Sequence, residues 1–321
     1  VKLRKILSLG FKVAISASLL YFLFTKVDIA SVGNVLTQAH ISYLFIGWLS
    51  YMAIMALCSM RWRVFTAPLG FNHGIYKLLL YSFAGAFFNM FLPTSLGGDV
   101  GRAYYLSRKA SSKSKKQKGK GRGLSAAIVS VIADRFMGFF ALLIIASCAL
   151  LVRPDVVSAL PPLITTMVLW TLAVLLFAML VPFFFGKYLK RFGKTVLDSM
   201  VYWKKPFILI NALFFSILIQ LLDVVVNIFI GFSLDLNIPI LYYFILTPLT
   251  IVASMFPASV AGLGVREGSY VYLLSAVGVP EETGMAVALG WLFIILTGSI
   301  IGAIILVTGI LEVPWEHGRT D

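Results

Sequence analysis

Of 321 residues, 60% are hydrophobic and only 12% are charged. A soluble domain is about 25% charged, so a soluble globular protein is excluded and a polytopic membrane protein remains. The 27 Lys and Arg against 13 Asp and Glu give a net charge of +14, which in such a chain reads as cytoplasmic loops beside anionic lipid rather than a nucleic-acid surface. Cys58 and Cys148 sit inside apolar runs, and His40, His73 and His317 are scattered; neither a disulfide framework nor a metal or cofactor site is expected.

Six apolar runs are long enough to cross a ~30 Å hydrocarbon core: 7–25, 41–60, 124–152, 161–185, 207–232 and 283–310. The first follows Lys2, Arg4 and Lys5 as a signal peptide would. No small-residue cleavage site follows Phe24, so it reads as an uncleaved anchor. Runs 78–92 and 240–256 are too short. At 1.5 Å per residue they reach about 22 and 25 Å, and each leads into a Pro/Gly/Ser cluster and a second apolar piece.

Charge resolves the short runs. Basic residues gather at the N-terminus (Lys2, Arg4, Lys5, Lys12), at 61–77 (Arg61, Arg63, Lys77), at 108–122 and at 187–205. Loops 26–40, 153–160, 233–239 and 278–282 are poor in Lys and Arg and hold Asp28, Asp155, Asp235, Glu281 and Glu282. By the positive-inside rule the first set is cytoplasmic. Both flanks of 78–107 are then inside and both flanks of 240–277 outside. Each segment returns to its own face as a re-entrant hairpin, and both termini are expected on the cytoplasmic side of the inner membrane.

The hairpin tips align without a gap. Pro93-Thr94-Ser95-Leu96-Gly97-Gly98-Asp99-Val100-Gly101-Arg102 lies on Pro257-Ala258-Ser259-Val260-Ala261-Gly262-Leu263-Gly264-Val265-Arg266, with Pro, Ser, Gly and Arg identical at an offset of 164. The same offset carries 7–25 onto 171–189, 41–60 onto 205–224 and 124–152 onto 288–316, each overlapping an assigned span. The expected architecture is an all-α integral membrane protein of six transmembrane spans plus two re-entrant helical hairpins, arranged as two repeats, 1–152 and 153–321. Three crossings per copy invert the second. Inverted repeats with discontinuous helices are the sequence signature of secondary transporters.

Three ordered motifs then carry a family resemblance: Phe88-Asn89 with Leu92 to Arg102, Ala133-Asp134-Arg135, and Phe256 to Gly268. Together they resemble the lysylphosphatidylglycerol synthase transmembrane family, also called flippase-like proteins. The resemblance implies the domain that, in multiple peptide resistance factors, moves aminoacylated phosphatidylglycerol between leaflets. Those larger proteins add a soluble aminoacyl-transfer domain, which this chain is expected to lack, so lipid synthesis is not implied. The implied partner is a phospholipid, anionic or aminoacylated and phosphatidylglycerol-like.

Moving a headgroup through hydrocarbon requires countercharge at depth, where a lone charge costs about 2.5–3.5 kcal/mol. Seven ionisable residues lie at apparent membrane depth: Asp99, Arg102, Asp134, Arg135, Asp223, Arg266 and Glu267. Near balance between them makes internal pairing the competing reading. Arg102 and Arg266 follow Gly-containing turns at the start of each return arm, where free N–H groups and a guanidinium suit a phosphate. Gly97, Gly98, Gly262 and Gly264 allow close backbone approach, to a headgroup or to the other arm. Ser95 and Ser259 complete the candidate binding set.

The Lys/Gly/Ser-rich run 108–122 reads as a disordered anchor on anionic lipid, and Trp62, Trp203 and Trp315 as interfacial anchors. Two other functions remain open at this point: an intramembrane enzyme acting on a lipid-linked phosphate, with Asp99, Asp134 or Glu267 as acid or base, and a small-metabolite or ion transporter. No G-x-x-x-x-G-K-[ST] motif occurs.

Overall fold

The computed structural model describes Ala17, Ser18, Tyr21, Leu23, Thr25, residues 27–91, 97–113, 123–152, Thr166, Tyr202, and residues 205–255 and 262–311. Span 161–185, nearly all of span 7–25, the tips 92–96 and 256–261 with Ser95 and Ser259, residues 114–122, Trp203 and Trp315 lie outside the described residues. The described secondary structure is helical: α1 (Ile29–Thr37), α2 (Ile41–Thr66), α3 (Ile75–Phe91), α4 (Gly97–Lys113), α5 (Leu124–Val152), α6 (Pro206–Ser233), α7 (Ile240–Ser254), α8 (Val265–Ser275) and α9 (Glu281–Val307).

Local chemistry sets the helix ends. Asp28 caps α1, its carboxylate accepting from the N–H groups of Ala30 and Ser31. The Ser31 hydroxyl, with those two N–H groups, holds the Asp28 carboxyl below the usual carboxylate range. Pro206 opens α6, where a missing N–H costs nothing. Glu281 and Glu282 stand in the first turn of α9, against the positive end of its dipole.

Among the described residues four helices are long and apolar enough to cross a bilayer: α2 with its 3-10 extension to Leu69, α5, α6 and α9. Their outward residues are large and apolar at helical spacing, as in Ile41, Phe45 and Leu49 on α2 or Leu124, Ile128 and Ile132 on α5. α3 and α7, at 17 and 15 residues, span only about 26 and 22 Å.

α3 and α4 pack together, as do α7 and α8. Both pairs are antiparallel. Asn89 accepts from the N–H of Gly98 near the tip, while Gly85 lies against Arg102 further down. In the second pair Ser254 lies against Gly262 near the tip, and the Tyr242 hydroxyl donates to the carbonyl of Leu273 at the far end. The longest interface joins α2 to α6, also antiparallel: Arg61 reaches Ser216, and Gly47 lies against Val226 and Phe229.

Three expectations are corrected here. Segment 61–77 is not a basic loop, because α2 continues through Arg61 and Arg63 to Thr66. Loop 26–40 contains α1. The run 108–122 is helical over 108–113, since α4 continues through its Arg, Lys and Ala residues, all good helix formers, to Lys113.

Candidate functional site

Among the described residues the buried charges gather into two groups. The larger joins α2, α4 and α5. Asp134, only 1% exposed, accepts from Arg61 Nε at 2.8 Å and from Arg102 Nη2 at 3.3 Å. Asp99, in the first turn of α4, accepts a bidentate pair from Arg135, with Nε and Nη2 at 2.9–3.1 Å. Arg102 Nη1 stands 3.7 Å from the same Asp99. Among the described residues two acids thus serve three arginines, a surplus of one positive charge. Arg102 Nε is buried with no hydrogen-bond partner among the described residues, although an orphaned donor costs about 1–3 kcal/mol. The group reaches the molecular surface through Arg135, whose side chain is 48% exposed.

Packing fixes the position of Arg102. Its guanidinium lies 4.2 Å from the ring of Trp62, and its stem runs along Gly85, where a Cβ would stand 2.9 Å from Arg102 Cγ. Trp62 is fully buried and donates its indole N–H to the Ser130 hydroxyl. It is therefore no interfacial anchor, which corrects the expectation drawn from its place beside charge. Gly98 brings the hairpin arms together: a Cβ there would stand 2.2 Å from the carbonyl oxygen of Gly85.

The second group is smaller and neutral. Arg266 donates to Glu267 Oε1 from Nη2 at 2.6 Å and Nε at 3.1 Å, and Glu267 Oε2 accepts the N–H of Gly264 at 2.7 Å, closing the first turn of α8. Gly264 has φ +84, a left-handed value that a side chain would strain. The two tips are thus chemically unequal: Arg102 belongs to a cationic group, Arg266 to a closed pair.

The chain matches the family described as the lysylphosphatidylglycerol synthase TM region over residues 10–302. It belongs to that family. Membership carries a membrane location and a lipid-related function, in keeping with the apolar helices. No curated protein matches this family member.

Of the site residues drawn from the family's motifs and from charge at depth, Gly98, Asp99, Arg102, Asp134 and Arg135 come together in the first group. Gly97 opens α4 beside them. Gly262, Gly264, Arg266 and Glu267 form the second group. Asp223 belongs to neither. It lies on α6 in a polar stripe with Ser216, Gln220 and Asn227, whose spacing of four, three and four residues puts them on one helix face. The stripe runs from the first group to α8: Ser216 accepts from Arg61 at 3.1 Å, Gln220 donates to the carbonyl of Gly138 on α5, and Asn227 accepts from Tyr270 on α8 at 2.6 Å. Arg61 is the member of the first group missing from the sequence set. Hydropathy falls at Arg61 and places it in a cytoplasmic loop, yet it is 6% exposed and donates to Asp134 and Ser216. Its signal was an arginine one helical turn beyond Leu57 with the indole of Trp62 next to it, inside a pattern that stays apolar through Phe65. Among the described residues no three His, Cys, Asp or Glu side chains are close enough to hold a metal ion.

Proposed function

We propose that this protein is a flippase-like lipid transporter that moves a phospholipid, or a related lipid-linked phosphate, between the leaflets of the cytoplasmic membrane. The observation that carries the reading is the surplus positive charge of the Arg61–Arg102–Arg135 group, with its buried, unpartnered Arg102 Nε. Structural ion pairing alone is best served by equal charges with every donor satisfied. A surplus cation with a free donor, open at Arg135, suits a phosphodiester that arrives and leaves. Asp99, Asp134 and Glu267 are all engaged by arginines, so no specific observation favours the enzymatic reading.

An alternating architecture is supported by the packing. Adding 164 to α2, α3, α4 and α5 carries each onto a range overlapping α6, α7, α8 and α9. Every packed pair among these helices has its counterpart under that exchange: α3–α9 with α5–α7, α8–α9 with α4–α5, α5–α6 with α2–α9, α2–α5 with α6–α9, α2–α3 with α6–α7. The exchanged helices α2 and α6 pack on each other antiparallel. A two-fold that relates antiparallel spans lies in the membrane plane, as inverted repeats require. On this reading there are six spans, hairpins re-entrant from opposite faces, and both termini in the cytoplasm.

The test is a leaflet-accessibility assay in proteoliposomes, using a fluorescent phosphatidylglycerol and a membrane-impermeant quencher. Wild type should equilibrate the probe between leaflets, and Arg102→Ala should not, although it remains folded. Lys at 102 should rescue only in part, since it keeps charge without the planar fork. Full activity in Arg102→Ala ends the proposal.

A further inference from the structure

With Arg61 included, the described charges at membrane depth balance: Arg61, Arg102, Arg135 and Arg266 against Asp99, Asp134, Asp223 and Glu267. They do not balance locally. Arg266 and Glu267 cancel each other, the α2–α4–α5 group keeps one positive charge, and Asp223 is the remaining acid. Its carboxylate has no hydrogen bond or ion pair among the described residues, and it is half-buried on α6. Beside it, Gln220 Oε1 is a buried acceptor with no donor, three residues back on the same helix face, where Gln and Asp side chains meet.

Among the described residues the surroundings of Asp223 hold one cation. Arg61 on α2 is within electrostatic range, and its guanidinium is already committed to Asp134 and Ser216. Tyr51 and Cys58 on α2 and Tyr270 on α8 are the other titratable groups in range. Of the remaining neighbours, α5 presents Asp134 and Arg135, both in salt bridges; α7 carries only Tyr242 and Tyr243; and α9 has acids only in its first turn. An anion in such a place costs several kcal/mol unless a nearby positive charge offsets it. The surplus charge beside Arg61 is what is on offer.

We propose that Asp223 is a proton-binding residue coupled to the anion site: it takes up a proton when a phosphodiester occupies the Arg61–Arg102–Arg135 group and releases it when the phosphodiester leaves. The inference rests on the anion site proposed above. A bound phosphate and an ionised Asp223 draw on the same surplus positive charge, so occupancy by one disfavours the other. With phosphate bound, the neutral acid is preferred, and its hydroxyl has the orphaned Gln220 Oε1 to donate to. By reciprocity the protonated protein binds phosphate more tightly. The atoms balance simply: one proton from solvent joins one carboxylate oxygen of Asp223 as one anion enters, and both depart together. Lipid movement is thereby tied to the proton gradient, with lipid phosphate and proton travelling in the same direction.

Calorimetric titration of the full chain in detergent tests this, in sodium-free choline buffers of differing ionisation enthalpy between pH 5.5 and 8. The probes are dihexanoyl phosphatidylglycerol and dimethyl phosphate, phosphodiesters with no proton of their own to exchange in that range. Wild type should take up a fraction of a proton approaching one, with affinity rising towards about tenfold per pH unit as pH falls. Asp223→Asn should bind at the low-pH affinity throughout, without proton uptake, and Asp223→Glu should restore the slope. Linkage with the lipid probe alone identifies a lipid site; linkage with both identifies a site for the bare phosphodiester. An unchanged slope in Asp223→Asn overturns the proposal, as does an affinity that is flat with pH and rises when sodium chloride replaces choline chloride in a control titration. Should Asp223→Asn fail to fold, infrared difference spectra of wild type decide: a protonated carboxyl band must grow as probe is added, and its absence overturns the inference. Binding without proton uptake ends the inference alone; no binding of either probe at any pH ends the anion-site reading with it.

Discussion

Arg61 on α2 and Asp134 on α5, 73 residues apart in sequence, meet at 2.8 Å with both side chains almost fully buried. That pair joins the helix of the second apolar run to the helix that follows the first hairpin, and Arg102 reaches the same Asp134 from the hairpin itself. A shift of the hairpin against the two spans therefore changes how Asp134 is shared between two arginines. The Asp134 carboxylate on α5 is the contact that Arg61 and Arg102 share.

Removing one member of that pair should cost more than removing both. Asp134→Leu alone leaves Arg61 and Arg102 without their acid and should lower stability by about 3–5 kcal/mol. Arg61→Met with Asp134→Leu replaces the pair by apolar volume and should recover most of the loss. Thermal melts in one detergent check the order. A double variant no more stable than Asp134→Leu would show that Arg102 alone carries the cost.

Acids inside apolar runs are conspicuous, so Asp99, Asp134, Asp223 and Glu267 were all legible in the sequence. Arg61 was not. Hydropathy and the positive-inside rule place a charge along the chain, and an arginine at the end of an apolar run reads the same whether it faces water or an acid on another helix. The pairing scheme was illegible for a related reason. It depends on the rotation of each helix about its axis, and α5 shows no dominant apolar stripe from which rotation could be read, being hydrophobic on all sides. Apolar runs 124–152, 207–232 and 240–256 lie within two residues of α5, α6 and α7 at every end. α1 was missed because nine residues with an Asp cap are easily taken for a loop.

Glycine substitutions should separate close approach from mere flexibility. Gly98→Ala puts a methyl group within 2.2 Å of the Gly85 carbonyl oxygen, a backbone atom that cannot turn aside. The arms of the hairpin must part, Arg102 leaves its seat on Trp62, and lipid movement should fall with the melting temperature. Gly33→Ala on α1, where nothing lies within 4 Å, should instead stabilise by about 0.5–1 kcal/mol through helix propensity.

Trp62 holds Arg102 by its ring face and Ser130 by its N–H. Trp62→Phe keeps a weaker face and loses the N–H, leaving the Ser130 hydroxyl without that donor. A loss of about 1–2 kcal/mol in stability is expected, with weaker phosphodiester binding because Arg102 is less firmly placed. Trp62→Leu, which removes the ring face altogether, should weaken binding further. Equal affinity in all three proteins would show that the guanidinium is positioned by its two acids alone.

The Asp99–Arg135 pair offers the sharpest separation of structure from recognition. It ties the first turn of α4 to α5, and Arg135 is half exposed, so breaking it should cost about 1–3 kcal/mol, less than a fully buried pair. Asp99→Arg alone is worse, because four arginines then surround Asp134 and a cation faces the positive end of the α4 dipole. Adding Arg135→Asp restores the pair and the net charge with the partners exchanged. Melting temperature should return to near wild type, short of it by the dipole term of about 0.3–1 kcal/mol. Lipid movement should not return with it. The exchanged pair presents a carboxylate where the site opens to the surface, and an incoming phosphate meets repulsion in place of a guanidinium. Stability and transport recovering together would mean that the pair is only a clamp and that the anion enters elsewhere. Stability recovering alone places Arg135 on the path of the headgroup.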